Sequence, residues 1–363
     1  MIPAEFYKTK LDAYSQRYLY RQYVRQRTAQ DEKFVFFIAG TDRDAPPGRY
    51  VNSNKGLFNW LDDIILPLEI IQSVHNKKCS IIIDDSIEGF ETEWVHPGIC
   101  NFLNRNQISG EQVYYVTGNT GFNSVTEYNV IKDHFVVEVA NQYWDKMHTD
   151  TVSQISQQRA SQDWLFEFIC LQQRPRDFRV TLRNKLRNLY TTQTSVCTMK
   201  TGTPGEYIYD SDWIESNPLD SKLQSVYEWW EIEPNNFARS KVAVVSECSY
   251  QGLDKKFVTE KTLKNLLFPQ PFVLCGHQHQ IQELRNIGFN FYDNIVDHSY
   301  DAQDDTTRMD SMIKELDRLI NKQVLLDECL EVVNHNKQVA NLYKPYKTAL
   351  ERIYYDTDNL SIQ

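Results

Sequence analysis

What most constrains the fold of this chain is a recurring phrase: a short, uninterrupted apolar run that stops at a glycine or an acid, followed by a stretch with helical spacing. KFVFFIAG (33–40), CSIIIDDS (79–86) and QVYYVTGN (112–119) make one set. DWLFEFICLQ (163–172), KVAVVSEC (241–248) and PFVLCG (271–276) make a second, with TSVCTMKT (194–201) a further strand candidate. Runs without polar alternation belong to strands covered on both faces, as in parallel sheets flanked by helices. The interleaved segments repeat apolar residues at the helical period: GLFNWLDDIILPLEIIQSVH (57–76), which Pro67 kinks or divides, HPGICNFLNRNQ (96–107), RDFRVTLRNKLRNL (176–189), TEKTLKNLLF (259–268) and QIQELRNIG (280–288). This alternation predicts an α/β chain, and 363 residues suit two domains of that class.

The rhythm breaks at DKMHTDTVSQISQQRASQD (145–163), which is polar and reads as a linker or an exposed helix. The expected division is therefore a Rossmann-like domain over 1–155, a second over 156–335, and a C-terminal helical segment over 336–363 that packs back on the first. Residues 302–356 read as helical throughout, with Met309, Met312, Ile313, Leu316 and Leu319 on one face. Two such domains in tandem place a cleft at the carboxyl ends of their sheets, where ligands of open α/β sheets bind.

Charge narrows the partners. With 39 Lys and Arg against 49 Asp and Glu the net charge is −10, so a phosphate-bearing ligand must be met by a local basic patch. The seven Cys are scattered without a CxxC pair, which argues against a disulfide framework or structural zinc and fits a reducing compartment. No leader-like apolar segment and no run of 18 apolar residues occurs, so a membrane span is not expected and a cytoplasmic location is.

The basic patch is QQRPRDFRVTLRNKLR (172–187). Arg174, Arg176 and Arg179 fall where a strand gives way to a helix, and guanidinium forks beside a helix N-terminus suit a diphosphate. Arg183, Lys185 and Arg187, deeper in the helix, read as a solvated face. A second corner lies at Thr259-Glu260-Lys261. Thr259 suits an N-cap, which puts Lys261 in a first turn where the helix dipole disfavours a cation. Either a phosphate shares that helix end, with Glu260 accepting from ribose hydroxyls, or the pair simply caps a surface helix. Asp84, Asp85 and Glu88 end a strand of the first domain; each can be a general base, Glu88 first and Asp85 second, or a turn former. TGNTGFN (117–123) brings backbone near an acceptor or makes a plain turn. Asp210-Ser211-Asp212 reads as a loop rather than a metal-binding DxD, and His277-Gln278-His279 as the polar start of a helix.

KVAVVSECSYQGLDKKFVTEKTLKNLLFPQPFVLCG (241–276) resembles the nucleotide-sugar signature of the α1,3-fucosyltransferase family, in which a strand ending Phe-Glu-Asn-Ser is followed by Tyr-Val-Thr-Glu-Lys, a helix and a strand ending in Gly. Glu247, Glu260 and Lys261 fall on its acidic and basic positions, and Arg179 on its pyrophosphate-binding Arg. ICLQQRPRDFRVTLRNKL (169–186) and GFNFYDNIVDHSYD (288–301) resemble still more closely a group of phage and marine-virus proteins. The resemblance spans roughly 165–320. It implies a GT-B fold, with two Rossmann-like domains facing a cleft, the acceptor on the first and the nucleotide-sugar donor on the second. It also implies inverting transfer without metal or other cofactor, to a glycan, protein or hydroxylated DNA base, in an infected host's cytoplasm if the chain is viral. Ser246-Glu247-Cys248 departs from Phe-Glu-Asn-Ser, which leaves the sugar open. The alternative is a non-catalytic nucleotide-sugar-fold binding or virion-associated protein.

Overall fold

A computed structural model describes residues 26–27, 34–39, 61, 65–66, 68–86, 89–161, 164–172, 175–190, 195–198, 200–201, 208–209, 232, 234–252 and 255–359. The chain is mixed α/β, with two parallel sheets and helices around them. It divides into two compact units. One comprises Met1–Val139, Leu253–Phe257 and Lys344–Gln363, the other Ala140–Gly252 and Val258–Tyr343.

The first unit carries β1 (Gln26–Arg27), β2 (Phe34–Ala39), α1 (Leu68–His75), β3 (Cys79–Asp85), α2 (Thr92–Asn106), β4 (Val113–Thr117) and β5 (Asn129–Lys132). Strands β2 to β5 are parallel and lie side by side in chain order, with β1 antiparallel at the edge. Every residue of β3 and β4 is buried. That is why these runs show no alternation: both faces of the strands are covered. Ile81, Ile83 and Tyr115 pack with Val95, Ile99 and Phe102 of α2 in the core. Helix α2 starts ahead of the predicted His96, because Trp94 and Val95 donate their N–H groups to Glu91 O. Among the described residues of 57–76, Leu61 lies in a 3-10 turn, Ile65 and Leu66 are not helical, and the α-helix covers the last part.

Helix α3 (Phe135–Trp144) carries the chain across the boundary into the second unit. There follow α4 (His148–Arg159), β6 (Phe166–Leu171), α5 (Asp177–Leu189), β7 (Ser195–Thr198), the short antiparallel pair β8 (Lys200–Thr201) and β9 (Ile208–Tyr209), α6 (Pro234–Arg239), β10 (Ser240–Ser246), α7 (Glu260–Leu267), β11 (Phe272–Cys275), α8 (Gln280–Asn286), α9 (Arg308–Ile320) and α10 (Leu326–Leu342). Helix α11 (Pro345–Asn359) returns to the first unit. Of the two expectations for the polar stretch over 145–163 the helix holds, and it is exposed on one side only. His148, Thr151, Ile155 and Arg159 form one buried face of α4, and the Arg159 guanidinium donates to Phe237 O (2.6 Å) and Ser240 O (2.9 Å). The C-terminal helices follow the expected pattern, with Met309, Met312, Ile313, Leu316 and Leu319 buried on α9.

The second sheet has the order β11-β10-β6-β7, all parallel. Its connections diverge. The chain leaving β6 crosses through α5 to β7 on one side, and the chain leaving β10 crosses through α7 to β11 on the other. Between the carboxyl ends of β6 and β10 lies a topological switch point, the position where open α/β sheets leave a crevice.

Candidate functional site

The candidate site is built on those two diverging corners. At the first, Arg176 is the N-cap residue of α5, with extended backbone and no side-chain cap of its own. Its Nη1 donates to Cys248 O at 2.5 Å, across to the chain leaving β10. Arg179 lies in the first turn of α5 and is 3% exposed. Its Nε donates to Glu247 O (3.1 Å) and its Nη2 to Ser246 O (3.1 Å) and Glu247 O (2.5 Å). Arg179 therefore braces the end of β10, and its fork is spent on main-chain carbonyls that leave the sheet there. Arg174 lies outside the described residues. Arg183, expected on a solvated face, is buried, while Lys185 pairs with Asp310 at 2.5 Å on the surface.

At the second corner Thr259 caps α7 as its sequence predicts, its Oγ1 accepting from Lys261 N at 3.3 Å. Glu247 is wholly buried. Its carboxylate accepts from Thr259 N (3.1 Å), Thr259 Oγ1 (2.7 Å), Cys248 N (3.2 Å) and Thr262 Oγ1. These donors fill its acceptor capacity, so Glu247 ties the end of β10 to the start of α7. Lys261 Nζ donates to Glu260 Oε1 (2.8 Å) and Thr259 Oγ1 (3.3 Å), and its side chain keeps 25% exposure. Burial disfavours the Lys261 charge, but the Glu260 and Glu247 carboxylates and the Cys248 sulfur outweigh it and hold the ammonium above its ordinary pKa. For Glu260 burial likewise opposes charge, and Lys261 and Lys264 overcome it, so its pKa is lowered.

The corners are continuous. Arg176 binds Cys248 O, Cys248 N binds Glu247, Glu247 binds Thr259, and Thr259 Oγ1 accepts from Lys261. Two part-exposed cations, one from each corner, thus flank a single braced turn at the switch point. Arg308, at the start of α9, adds to that brace. Its Nη2 donates to Tyr250 O (2.7 Å), its Nε to Gly276 O (3.2 Å), and the guanidinium stacks 4.4 Å from the Tyr250 ring centroid. Sequence reasoning missed Arg308, although a cation in a first helical turn is the same misfit that marks Lys261.

In the first unit Glu88 lies outside the described residues, as do Asp210, Ser211 and Asp212 in the second. Asp85 is 1% exposed and its Oδ2 accepts from Tyr115 OH at 2.7 Å. Burial first, and then the Asp85 charge, push the Tyr115 phenol well up. Asp84 is the turn former, its Oδ1 accepting from Ser86 N at 3.2 Å. The Thr117–Gly121 turn forms a socket: Asn119 Oδ1 accepts from Lys256 N (2.8 Å) and Gly121 N (3.0 Å), and Thr120 N donates to Lys256 O (2.9 Å). The Phe257 side chain sits against two glycines. A Cβ added at Gly89 or Gly118 would stand 2.3 Å or 2.6 Å from it.

His277, Gln278 and His279 precede α8 as expected, His279 serving as its N-cap residue. Compared with known protein families, curated proteins and solved structures, the chain matches none. No helix among the described residues is long and apolar enough to cross a membrane.

Proposed function

We propose that the chain is a GT-B-type glycosyltransferase that moves a sugar from a nucleotide-diphosphate donor to an acceptor hydroxyl of a glycan, protein or modified DNA base. The observation that carries this reading is the pair Arg176 and Lys261, held on either side of the switch point by one hydrogen-bonded turn. Their charges take the diphosphate oxygens, and Glu260 accepts from a ribose or sugar hydroxyl. Arg179, Glu247 and Thr259 are positioning residues for that pair, and Arg179 adds long-range positive charge. The acceptor oxygen attacks the anomeric carbon as a carboxylate base takes its proton. The bond to the diphosphate then breaks, and the departing negative charge is met by Arg176 and Lys261.

One observation favours a second reading, a non-catalytic nucleotide-sugar-binding protein: Asp85 is buried and engaged with Tyr115. Thermal unfolding with UDP, GDP, ADP and CDP, each alone and as its sugar ester, tests the shared part of both readings. A native-state ligand at 100 times its Kd stabilises the chain by about 2.7 kcal/mol. The melting temperature is expected to rise with at least one nucleotide; no rise with any would overturn both. Release of nucleoside diphosphate from the sugar ester then separates them, since only the enzyme turns over.

A further inference from the structure

The carboxyl edge of the second sheet holds a group of buried polar atoms that make no hydrogen bond: Ser246 Oγ, Ser249 Oγ, His277 Nδ1, and both Nε2 and Oε1 of Gln280. The turns that carry them are joined. Ser246 is the register partner of Cys275, Glu247 N donates to Cys275 O at 3.0 Å, and Arg308 spans Gly276 O and Tyr250 O. Gln280 rests on Gly276 so closely that a Cβ at 276 would stand 1.9 Å from its Oε1. The other ring nitrogen of His277 is engaged with Glu283 at 3.2 Å, which leaves Nδ1 as the remaining site.

Buried donors and acceptors without partners are costly and are kept where something completes them. The set is chemically uniform. Hydroxyls both donate and accept, the carboxamide offers one group of each kind, and a neutral imidazole nitrogen does either. An anion is better served by the neighbouring Arg176 and Lys261. A neutral, hydroxyl-rich ring is the complement of Ser246, Ser249, His277 and Gln280.

We propose that these four residues form the subsite for the sugar ring of the donor, hydrogen-bonding its hydroxyls; the proposal rests on the nucleotide-diphosphate reading of the adjacent corner. All of these atoms are buried, and the Gln280 carboxamide makes no hydrogen bond, so on this proposal Gln280 is the side chain that must yield to the sugar.

Calorimetric titration of the full chain with UDP and UDP-glucose, and with GDP and GDP-mannose, tests this on Ser249→Ala and Gln280→Leu. The advantage of sugar ester over parent diphosphate is expected to shrink about tenfold in each variant. The ligand-free melting temperature should hold or rise, because an unpaired buried polar group has been removed. Should Gln280→Leu fail to fold, Ser249→Ala decides. An unchanged ratio in a folded variant that still binds UDP or GDP overturns the subsite and leaves the diphosphate reading standing. Absence of diphosphate binding by the unsubstituted chain overturns both.

Discussion

The two sheets are made from the same kind of strand, yet their carboxyl ends are put to different use. In the first unit β2 to β5 run in chain order, so successive crossovers all step the same way. Its strand-end acids are buried, Asp85 against Tyr115 and Asp84 in its own turn, and Phe257 fills the space above Gly89 and Gly118. In the second unit the order reverses between β6 and β10. There the strand ends carry part-exposed cations, a wholly buried carboxylate that acts as a tie, and unpaired hydroxyl and amide groups. The contrast teaches that strand order, more than the number of acids at strand ends, decides where a sheet leaves a crevice at its carboxyl edge.

The sharpest way to break the comparison is Glu247→Ala. It removes the acceptor of several buried donors at once, and the stability of the chain to urea should fall by about 4 kcal/mol. A loss under about 1 kcal/mol would mean that the corner is not held by this carboxylate.

A second probe is acid. His298, beneath the second sheet, links Tyr300 OH and Phe291 O, each at 2.8 Å, and burial lowers its pKa to about 4. A group depressed below its ordinary value of 6.5 contributes stability above that pH and loses it as pH falls towards 4. The stability of the parent chain relative to His298→Gln should therefore shrink by about 3 kcal/mol between pH 7 and pH 4. A constant difference across that range would place the imidazole in water.

Smaller still is Gly118→Val in the first unit. The new side chain meets Phe257 and Ser86 O, so unfolding should come about 2 kcal/mol sooner, while any nucleotide-induced shift keeps its size. A vanished shift would tie ligand binding to the first unit's edge instead.

Much of this was legible in the chain. The apolar runs of β3, β4, β10 and β11 announced buried strands because both of their faces are covered, and Thr259 declared the start of α7 by the chemistry of its cap. Helix α4 was legible only as one of two alternatives and its buried face not at all, since that face is built from His148, Thr151 and Arg159, whose partners include main-chain carbonyls some 80 residues away. The work of Arg179 was hidden for the same reason. A guanidinium at a strand-helix corner reads as a phosphate clamp, and only the tertiary fold brings the carbonyls of Ser246 and Glu247 to meet it. Strand order, and with it the switch point, is likewise set by how the strands pair and cannot be read from periodicity.

The central claim is that Arg176 and Lys261, from separate strand-to-helix corners, grip one diphosphate. Its most direct test is the calorimetric affinity of UDP, GDP, ADP and CDP for the parent chain, Arg176→Met and Lys261→Met, with the matching nucleosides as controls. Each substitution should weaken the best diphosphate at least about tenfold and the nucleoside hardly at all. Diphosphate affinity that survives either change intact would contradict the account.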